Sequence, residues 1–294
     1  MTPLAIALIV LGALVGLAIL AYGVAIVRTV AATRRPMPID TGGEARRIAE
    51  GVRLGEDAAW PALEVWGPPG DPAGRARPVV VLVPGDGPDV LLKRANGWKL
   101  WRSYADLCAA RGWSTVVLGH RSSGNYRRSE TMVADVVRGL GLLRARADTW
   151  GLDPDRMVVW CFSGSSGPVL AHLLRQPVPG LCGLLSFYGV LDLGTYLMKP
   201  PEAVVARYSL PPVLAGAETL PCPVHLVHAG RDQAMIRRGY ERTVAALRGR
   251  NLPVAVRVAE GARHGFDLVG DPAQVREEVD RALAFVETCF AEHA

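Results

Sequence analysis

Three polar residues of this 294-residue chain have the types and the order that nucleophilic catalysis requires: Ser163, Asp232 and His264. A serine hydroxyl is a poor nucleophile at neutral pH until a histidine takes its proton. The histidine in turn needs a carboxylate that orients its ring and stabilises its charged form. Each of the three residues follows an apolar, strand-like run. The pattern therefore predicts acyl transfer through a covalent intermediate on Ser163.

Ser163 lies where a strand is expected to turn sharply into a helix. The run MVVWCF precedes it and the helix-forming stretch VLAHLL follows, which is the layout of a nucleophile elbow. The usual G-x-S-x-G pattern is imperfect, because Cys161 and Ser165 stand in the glycine positions. A second frame, S-G-S-S-G, would make Ser165 the nucleophile, and a turn without chemistry is a further alternative. We favour Ser163, because a strand of ordinary length that starts near Arg156 ends there.

The oxyanion that develops during acyl transfer needs backbone N–H donors, one of them from the residue after the nucleophile. Gly164 supplies that donor. The loop after residues 78–83 reads P-G-D-G, and its Pro84 has no N–H. The second donor is therefore Asp86 or Gly87, and both stay open. An acidic side chain at Asp86 would repel an oxyanion unless it points away.

The elements that must position these residues alternate between strand and helix. The predicted strands cover residues 62–66, 78–83, 114–120, 156–162, 181–188, 223–229 and 254–258, and the main predicted helices cover residues 98–111, 132–150, 169–174, 239–247 and 273–290. This alternation predicts an α/β fold with a mostly parallel central sheet and helices on both faces. Because the carboxyl ends of parallel strands share one edge, the three polar residues are expected to meet there.

The composition argues against several other classes of protein. The formal net charge of +5 is concentrated at Arg28, Arg34 and Arg35, and no basic stripe with interleaved aromatic residues follows, so nucleic-acid binding is not expected. The five cysteines lack C-x-x-C or metal-ligand spacing, which favours reduced, mostly buried thiols. No metal or dinucleotide motif is present, and no cofactor is expected.

The other histidines in predicted elements are weaker candidates for the base. His172 falls on the helix after Ser163, and His225 and His228 lie within a strand, where packing roles are the default. His120 lies in a loop at the expected edge of the sheet but precedes the nucleophile. We therefore favour His264.

An apolar segment without charged residues precedes the α/β region. A helix over residues 3–27 would be about 37 Å long, enough to cross the hydrocarbon core of a bilayer. A cleaved signal peptide is less favoured, because the segment has no positive n-region and is longer than an h-region. We predict a single-pass transmembrane anchor (1–28), a juxtamembrane linker (29–57) that runs into a short helix or a first strand, and one α/β domain (58–294). The arginines after residue 27 predict that this domain lies in the cytoplasm.

Four stretches of the chain resemble the α/β-hydrolase superfamily, nearest its dienelactone hydrolase and acyl-peptide-hydrolase-like esterase branches. DPDRMVVWCFSG is similar to the "DPDRI…WGFSAGG" elbow of those families, HAGRD to their "HGxxD" acid turn, EGARHGF to their "EGAGHGF" base loop, and SFYG to a common strand end. The resemblance covers residues 62–290. It implies an α/β-hydrolase fold with Ser163, Asp232 and His264 as the catalytic triad, and it does not identify the substrate.

The motifs and the resemblance together predict a membrane-anchored serine hydrolase, a carboxylesterase for a small-molecule acyl substrate, with the lipid bilayer as a second partner. Two alternatives stay open: a catalytically degenerate binding or scaffold protein of the same fold, and an acyltransferase that uses the same triad. Residues 193–220 are rich in proline and have no clean period, which predicts a small cap. Because this cap is too short for a large lid, we expect a broad preference for short acyl chains.

Overall fold

The computed structural model describes residues 34–55, 62–70, 76–196 and 198–293, together with six isolated positions before residue 34. Within these residues one sheet has the strand order β1-β2-β4-β3-β5-β6-β7-β8. The strands are β1 (Arg46–Arg53), β2 (Ala62–Gly67), β3 (Arg77–Val83), β4 (Ser114–Leu118), β5 (Leu152–Phe162), β6 (Leu181–Phe187), β7 (Val224–Ala229) and β8 (Val254–Ala259). The pairs β1–β2 and β2–β4 are antiparallel, and all the others are parallel.

Helices fill most of the connections between the strands. They are α1 (Asp89–Leu92), α2 (Lys99–Ala109), α3 (Ser129–Trp150), α4 (Ser166–Arg175), α5 (Glu202–Tyr208), α6 (Leu210–Gly216), α7 (Ala234–Leu247), α8 (Phe266–Val269) and α9 (Pro272–Ala291). Short 3-10 turns lie at Ala95–Gly97, Ser163–Ser165 and Leu193–Thr195.

The two faces of the sheet carry separate hydrophobic cores, and β3 contributes to both. Side chains alternate between the faces of a strand, so Val79, Val81 and Val83 pack into the core beneath α3 and α4, whereas Val80 and Leu82 pack into the core beneath α2 and α9. All five side chains are fully buried. A strand covered on both faces has no polar side to display, which explains its continuous apolar run and confirms the predicted architecture.

The structure differs from the sequence prediction in two of the strands. Residues 46–53, where the linker was expected to run into a short helix or a first strand, form the edge strand β1 and pair with β2; charged residues in this exposed strand obscured its periodicity. Strand β5 starts at Leu152, earlier than the predicted start near Arg156. Its pairing with β3 jumps from Leu152 to Met157, so that residues 153–156 bulge out of the ladder and regular pairing begins where it was expected.

The prediction of a single-pass membrane protein is corrected. In the part of the chain that the structure describes, no helix is both long enough and apolar enough to cross a membrane. The two longest described helices, α3 and α9, carry charged residues along their exposed faces and bury their apolar faces on the sheet. The segment on which the prediction rested, residues 3–27, lies outside the described residues apart from four isolated positions.

The segment between β6 and β7 folds as two short helices, α5 and α6. Leu210 and Leu214 of α6 join the core next to α4. Tyr208 of α5 joins a third, smaller cluster with Val190, Leu193 and Tyr126. This cluster lies close to the carboxyl ends of the strands, because Val190 and Leu193 follow directly after β6.

Candidate active site

The local backbone at Ser163 is that of a sharp strand-to-helix turn. Ser163 follows the last residue of β5, has a φ of +51° and is followed by α4. A positive φ is costly for a residue with a side chain and persists only where surrounding contacts enforce it. Here the Ser163 carbonyl accepts a hydrogen bond from Val190 at 2.9 Å, and a Cβ added to Gly85 would approach the Ser163 Cβ to 2.9 Å. The turn is therefore held from both sides.

Ser163, His264 and Asp232 form a continuous hydrogen-bonded chain. The Ser163 Oγ lies 2.7 Å from His264 Nε2, and His264 Nδ1 lies 2.8 Å from Asp232 Oδ2. A carboxylate only accepts hydrogen bonds, so Nδ1 carries the proton and Nε2 is free to accept the serine proton. The structure brings together all three residues that the sequence singled out, from positions up to 101 residues apart.

The carboxylate of Asp232 is itself held in place. Its side chain is completely buried, whereas the His264 side chain is 30% exposed. Asp232 Oδ1 accepts the backbone N–H of Gln233 at 2.7 Å, which leaves Oδ2 for the histidine. A buried carboxylate fixed in this way can orient an imidazole ring and stabilise its protonated form.

Ser165, the alternative nucleophile, points into the protein. Its side chain is fully buried, and its hydroxyl lies within hydrogen-bonding distance of the Phe162 carbonyl at 3.0 Å and the Val83 carbonyl at 3.2 Å. It therefore ties the elbow to β3. Cys161, which occupies the other expected glycine position, is fully buried, and burial raises the pKa of its thiol.

Gly164 and the loop after β3 lie against one another beside Ser163. Gly164 is the second residue of a helical turn, so its N–H has no partner within that turn. A Cβ placed on Gly164 would lie 3.2 Å from the Asp86 nitrogen. Gly87, by contrast, has no atom within 4 Å of its own Cβ position and lines an adjoining cavity. The geometry favours Asp86 over Gly87 as the second oxyanion donor.

The side chain of Asp86 is bound by Ser123. Asp86 Oδ1 accepts the Ser123 backbone N–H at 3.1 Å, and its Oδ2 accepts the Ser123 hydroxyl. Ser123 is fully buried. Two donors therefore hold the carboxylate on the loop after β4, which answers the concern that it would repel an oxyanion.

A second buried carboxylate, Asp267, lies behind the histidine loop. It is fully buried and accepts the Tyr104 and Tyr188 hydroxyls, both at 2.7 Å. Burial raises the pKa of Asp267, and burial followed by the Asp267 charge raises the pKa of both tyrosines, so that the phenols stay protonated donors. This cluster was not predicted from the sequence. The only local signal for it in the sequence is that Asp267 lies three residues after His264.

The other histidines have structural contacts. His120 is buried and bridges two loops, with Nε2 2.9 Å from the Pro84 carbonyl and Nδ1 2.9 Å from the Arg121 carbonyl. His228 stacks on Tyr240 with ring centroids 4.3 Å apart. Neither hydrogen-bonds to Ser163 in the structure. Among the described residues no group of three or more His, Cys, Asp or Glu side chains is placed to hold a metal ion.

The fold is similar to those of several solved enzymes. A Lactobacillus rhamnosis esterase B inhibited by a tributyrin phosphonate superposes with a TM-score of 0.72 at 14% identity, over 95% of this chain and 96% of that one. Brefeldin A esterase, described as a bacterial homologue of human hormone-sensitive lipase, superposes with a TM-score of 0.64 at 17% identity, over 92% of this chain and 84% of that one. A Mycobacterium tuberculosis puromycin-hydrolyzing peptidase superposes with a TM-score of 0.60 at 22% identity, over 84% of this chain and 40% of that one.

Neither a protein-family model nor a curated protein matches the sequence. The likeness to solved structures nevertheless extends over nearly the whole chain, and it agrees with the mostly parallel eight-stranded sheet and with the motifs found in the sequence. The chain therefore has the fold of the α/β-hydrolase superfamily.

Proposed function

We propose that this protein is a serine hydrolase that cleaves carboxylic esters through an acyl-enzyme intermediate, with Ser163 as nucleophile, His264 as base and Asp232 as the group that orients the base. The observation that carries the proposal is the hydrogen-bonded chain from Ser163 Oγ through His264 to Asp232, with distances of 2.7 and 2.8 Å. The strained turn at Ser163 supports it, because strain of this kind concentrates at functional sites.

In the first half-reaction the Ser163 Oγ attacks the ester carbonyl carbon while its proton moves to His264 Nε2. The carbonyl oxygen becomes an oxyanion, which the N–H groups of Gly164 and Asp86 stabilise. Collapse of this intermediate breaks the bond to the leaving alcohol, and His264 returns its proton to that oxygen. Water then attacks the acyl-enzyme by the same route, releasing the acid and restoring Ser163.

The solved structures that share the fold support an ester substrate. Two of them are esterases by name, and one of these is inhibited by a tributyrin phosphonate, a mimic of a short-chain ester. The third hydrolyses puromycin. The fold thus accommodates different leaving groups, and the finer resemblance to dienelactone hydrolases stays a prediction.

Labelling with a fluorophosphonate tests the proposal directly. We expect the wild type and the matched control Ser165→Ala to be labelled, and Ser163→Ala to be unlabelled and inactive on p-nitrophenyl butyrate. Asp232→Asn should be labelled slowly and should lose roughly 10⁴-fold in kcat, as in other triads. A wild type that neither reacts nor turns over any ester would support the scaffold alternative, and ester products formed with an added alcohol would support an acyltransferase.

A further inference from the structure

The loop between β4 and α3 carries a tyrosine whose hydroxyl reaches the nucleophile elbow. The Tyr126 hydroxyl oxygen lies 2.9 Å from the position that a Cβ on Gly164 would occupy, and the Cβ and backbone nitrogen of Asp86 lie 2.9 and 3.2 Å from the same point. The phenol therefore shares the space around Gly164 with the two backbone N–H groups assigned above to the oxyanion.

The backbone of this loop is unusual. Gly124, Asn125 and Tyr126 have φ values of +57°, +54° and +65°, so that three successive residues adopt the left-handed conformation and two of them carry side chains. Such a run is costly and needs compensating contacts. The strain brings a bulky aromatic residue back toward the sheet, to a position that is only 4% exposed.

One side chain fixes both Tyr126 and the loop after β3. The Ser123 Oγ accepts the Tyr126 backbone N–H at 2.8 Å and donates to the Asp86 carboxylate. The proposed donors from two different loops are therefore tied together by a single buried hydroxyl. A purely structural role for Tyr126 would not require that Ser123 connect it to the loop after β3, which supplies the proposed Asp86 donor.

The Tyr126 hydroxyl is also chemically free to donate. Burial, followed by the nearby Asp86 charge, raises the pKa of Tyr126 well above its ordinary value, so the phenol keeps its proton. Within the described ranges no protein group accepts a hydrogen bond from this hydroxyl. Its residue lines an open cavity together with Asp86, Asn125 and Tyr196. A donor that has no acceptor among the described residues, faces a cavity and lies beside the residue after Ser163 is placed to find its acceptor on a bound substrate.

We infer that Tyr126 is a catalytic residue, whose hydroxyl donates a third hydrogen bond to the substrate carbonyl oxygen as this oxygen becomes an oxyanion. The inference rests on the proposed serine hydrolase function. No proton is transferred in this step: the phenol stabilises the negative charge that forms when the Ser163 Oγ bonds to the carbonyl carbon. The bond is strongest in the transition state, so its loss lowers kcat more than it raises KM.

The test compares Tyr126→Phe with the wild type and with Tyr208→Phe, a control that removes a hydroxyl from the same hydrophobic cluster. A fluorophosphonate titration counts active sites, so that kcat is expressed per labelled site even if part of a preparation misfolds. For Tyr126→Phe we expect kcat to fall by about 10²-fold, the lower end for loss of one oxyanion donor, with KM changed less than about threefold. Tyr208→Phe should match the wild type.

A trifluoromethyl ketone, which adds to the active-site serine and forms a stable oxyanion, supplies a second readout. Its inhibition constant should rise for Tyr126→Phe by a factor similar to the fall in kcat, which a merely structural role would not produce. An unchanged kcat and inhibition constant would overturn the inference, as would a change in KM alone. Failure of the proposed function is distinct: the wild type and Tyr208→Phe would then be neither labelled nor active.

Discussion

The Tyr188 hydroxyl donates a hydrogen bond to Asp267 Oδ1 at 2.7 Å, and the ring of the same tyrosine packs against His264 in an edge-to-face arrangement, with ring centroids 4.8 Å apart. The two contacts connect a buried carboxylate to the proposed base through one aromatic side chain. Tyr188 also has a φ of +39° and donates its backbone N–H to the Val227 carbonyl at 2.7 Å. The ring therefore has little freedom, and it limits the orientations available to the imidazole.

Tyr188→Phe keeps the ring but removes the hydroxyl, so Asp267 retains only the Tyr104 donor. We expect the free energy of unfolding to fall by about 1–2 kcal/mol, as for other buried hydrogen bonds, and kcat to fall about tenfold because the His264 ring is less restrained. Tyr104→Phe is the matched control, since it removes the other donor without touching His264. Urea denaturation and steady-state kinetics measure both effects. Equal loss of kcat in the two variants would contradict a positioning role for the Tyr188 ring.

Gly164→Ala tests how tightly the elbow and the two proposed donor loops are packed. The added methyl group would lie 2.9 Å from both the Tyr126 hydroxyl and the Asp86 Cβ, so one of them must move. We expect a loss of about 1–3 kcal/mol in stability, the usual cost of overpacking, and a fall in kcat of at least tenfold, because the displaced groups are proposed oxyanion donors.

Gly141→Ala is the control for this substitution. Gly141 lies within helix α3, and its Cβ position has no atom within 4 Å. Alanine is a better helix former than glycine by up to about 1 kcal/mol, so this variant should be as active as the wild type and at least as stable. Wild-type kcat in Gly164→Ala would contradict the close packing on which the oxyanion assignment depends.

The sequence predicted those features that local patterns encode. The run from Val79 to Val83 is apolar at every position, which identified a strand covered on both faces, and the polar residues at the ends of β5, β7 and β8 could be brought together because parallel strands share an edge. The choice of Ser163 over Ser165 came from strand length alone. In the structure the carbonyl oxygens around Ser165 support the same choice.

Other features depend on contacts between distant parts of the chain. Tyr104 and Asp267 are 163 positions apart, and nothing in the sequence around either residue indicates that they meet. Tyr126 lies between the predicted strand 114–120 and the predicted helix 132–150, and its position depends on a run of left-handed residues. Strand β1 could not be distinguished from a short helix in the sequence, because its exposed face carries charged residues and its apolar positions are too few to give a clear period.

His225 makes the stability of the protein depend on pH. It lies in β7 beside Phe285, and its Nε2 is buried without a hydrogen-bond partner among the residues that the structure describes. Burial, followed by the charges of Arg257 and Arg281, lowers the pKa of His225 to about 4. The folded state therefore favours the neutral ring. The stability that the folded state gains by keeping the His225 ring neutral is complete above the unfolded pKa of about 6.5. It is lost as the pH falls toward 4.

Urea denaturation between about pH 7 and pH 4 measures this dependence. We expect the wild type to lose stability over that interval relative to His225→Gln, which has no titratable ring. His293→Gln, at an exposed position near the carboxyl terminus, is the control and should follow the wild type. If the wild type and His225→Gln keep a constant difference in stability across the interval, the effect of burial on the pKa of His225 is refuted.

The cavity next to the elbow predicts which esters are preferred. It has a volume of about 430 Å³ and is lined by polar groups of Asp86, Ser122, Asn125 and Tyr126, with the Tyr196 ring on one side. Each methylene buried against apolar surface is worth about 0.8 kcal/mol, but against polar walls part of this gain is offset by the desolvation of the wall groups. Longer acyl chains should therefore gain little, and activity should decline once the chain is longer than the cavity holds. The short helices α5 and α6 provide no large apolar lid to compensate.

We expect kcat/KM for p-nitrophenyl esters to be highest for acetyl to hexanoyl chains and to decline steadily toward palmitoyl. We expect this decline in kcat/KM with each methylene added to the acyl chain. Labelling by a small fluorophosphonate, which has no long chain to place, should not be affected. Asn125→Leu, which makes the cavity wall more apolar without touching the proposed triad, should shift the optimum toward longer chains. A maximum at palmitoyl in the wild type, or an optimum that Asn125→Leu leaves in place, would mean that another surface selects the acyl chain.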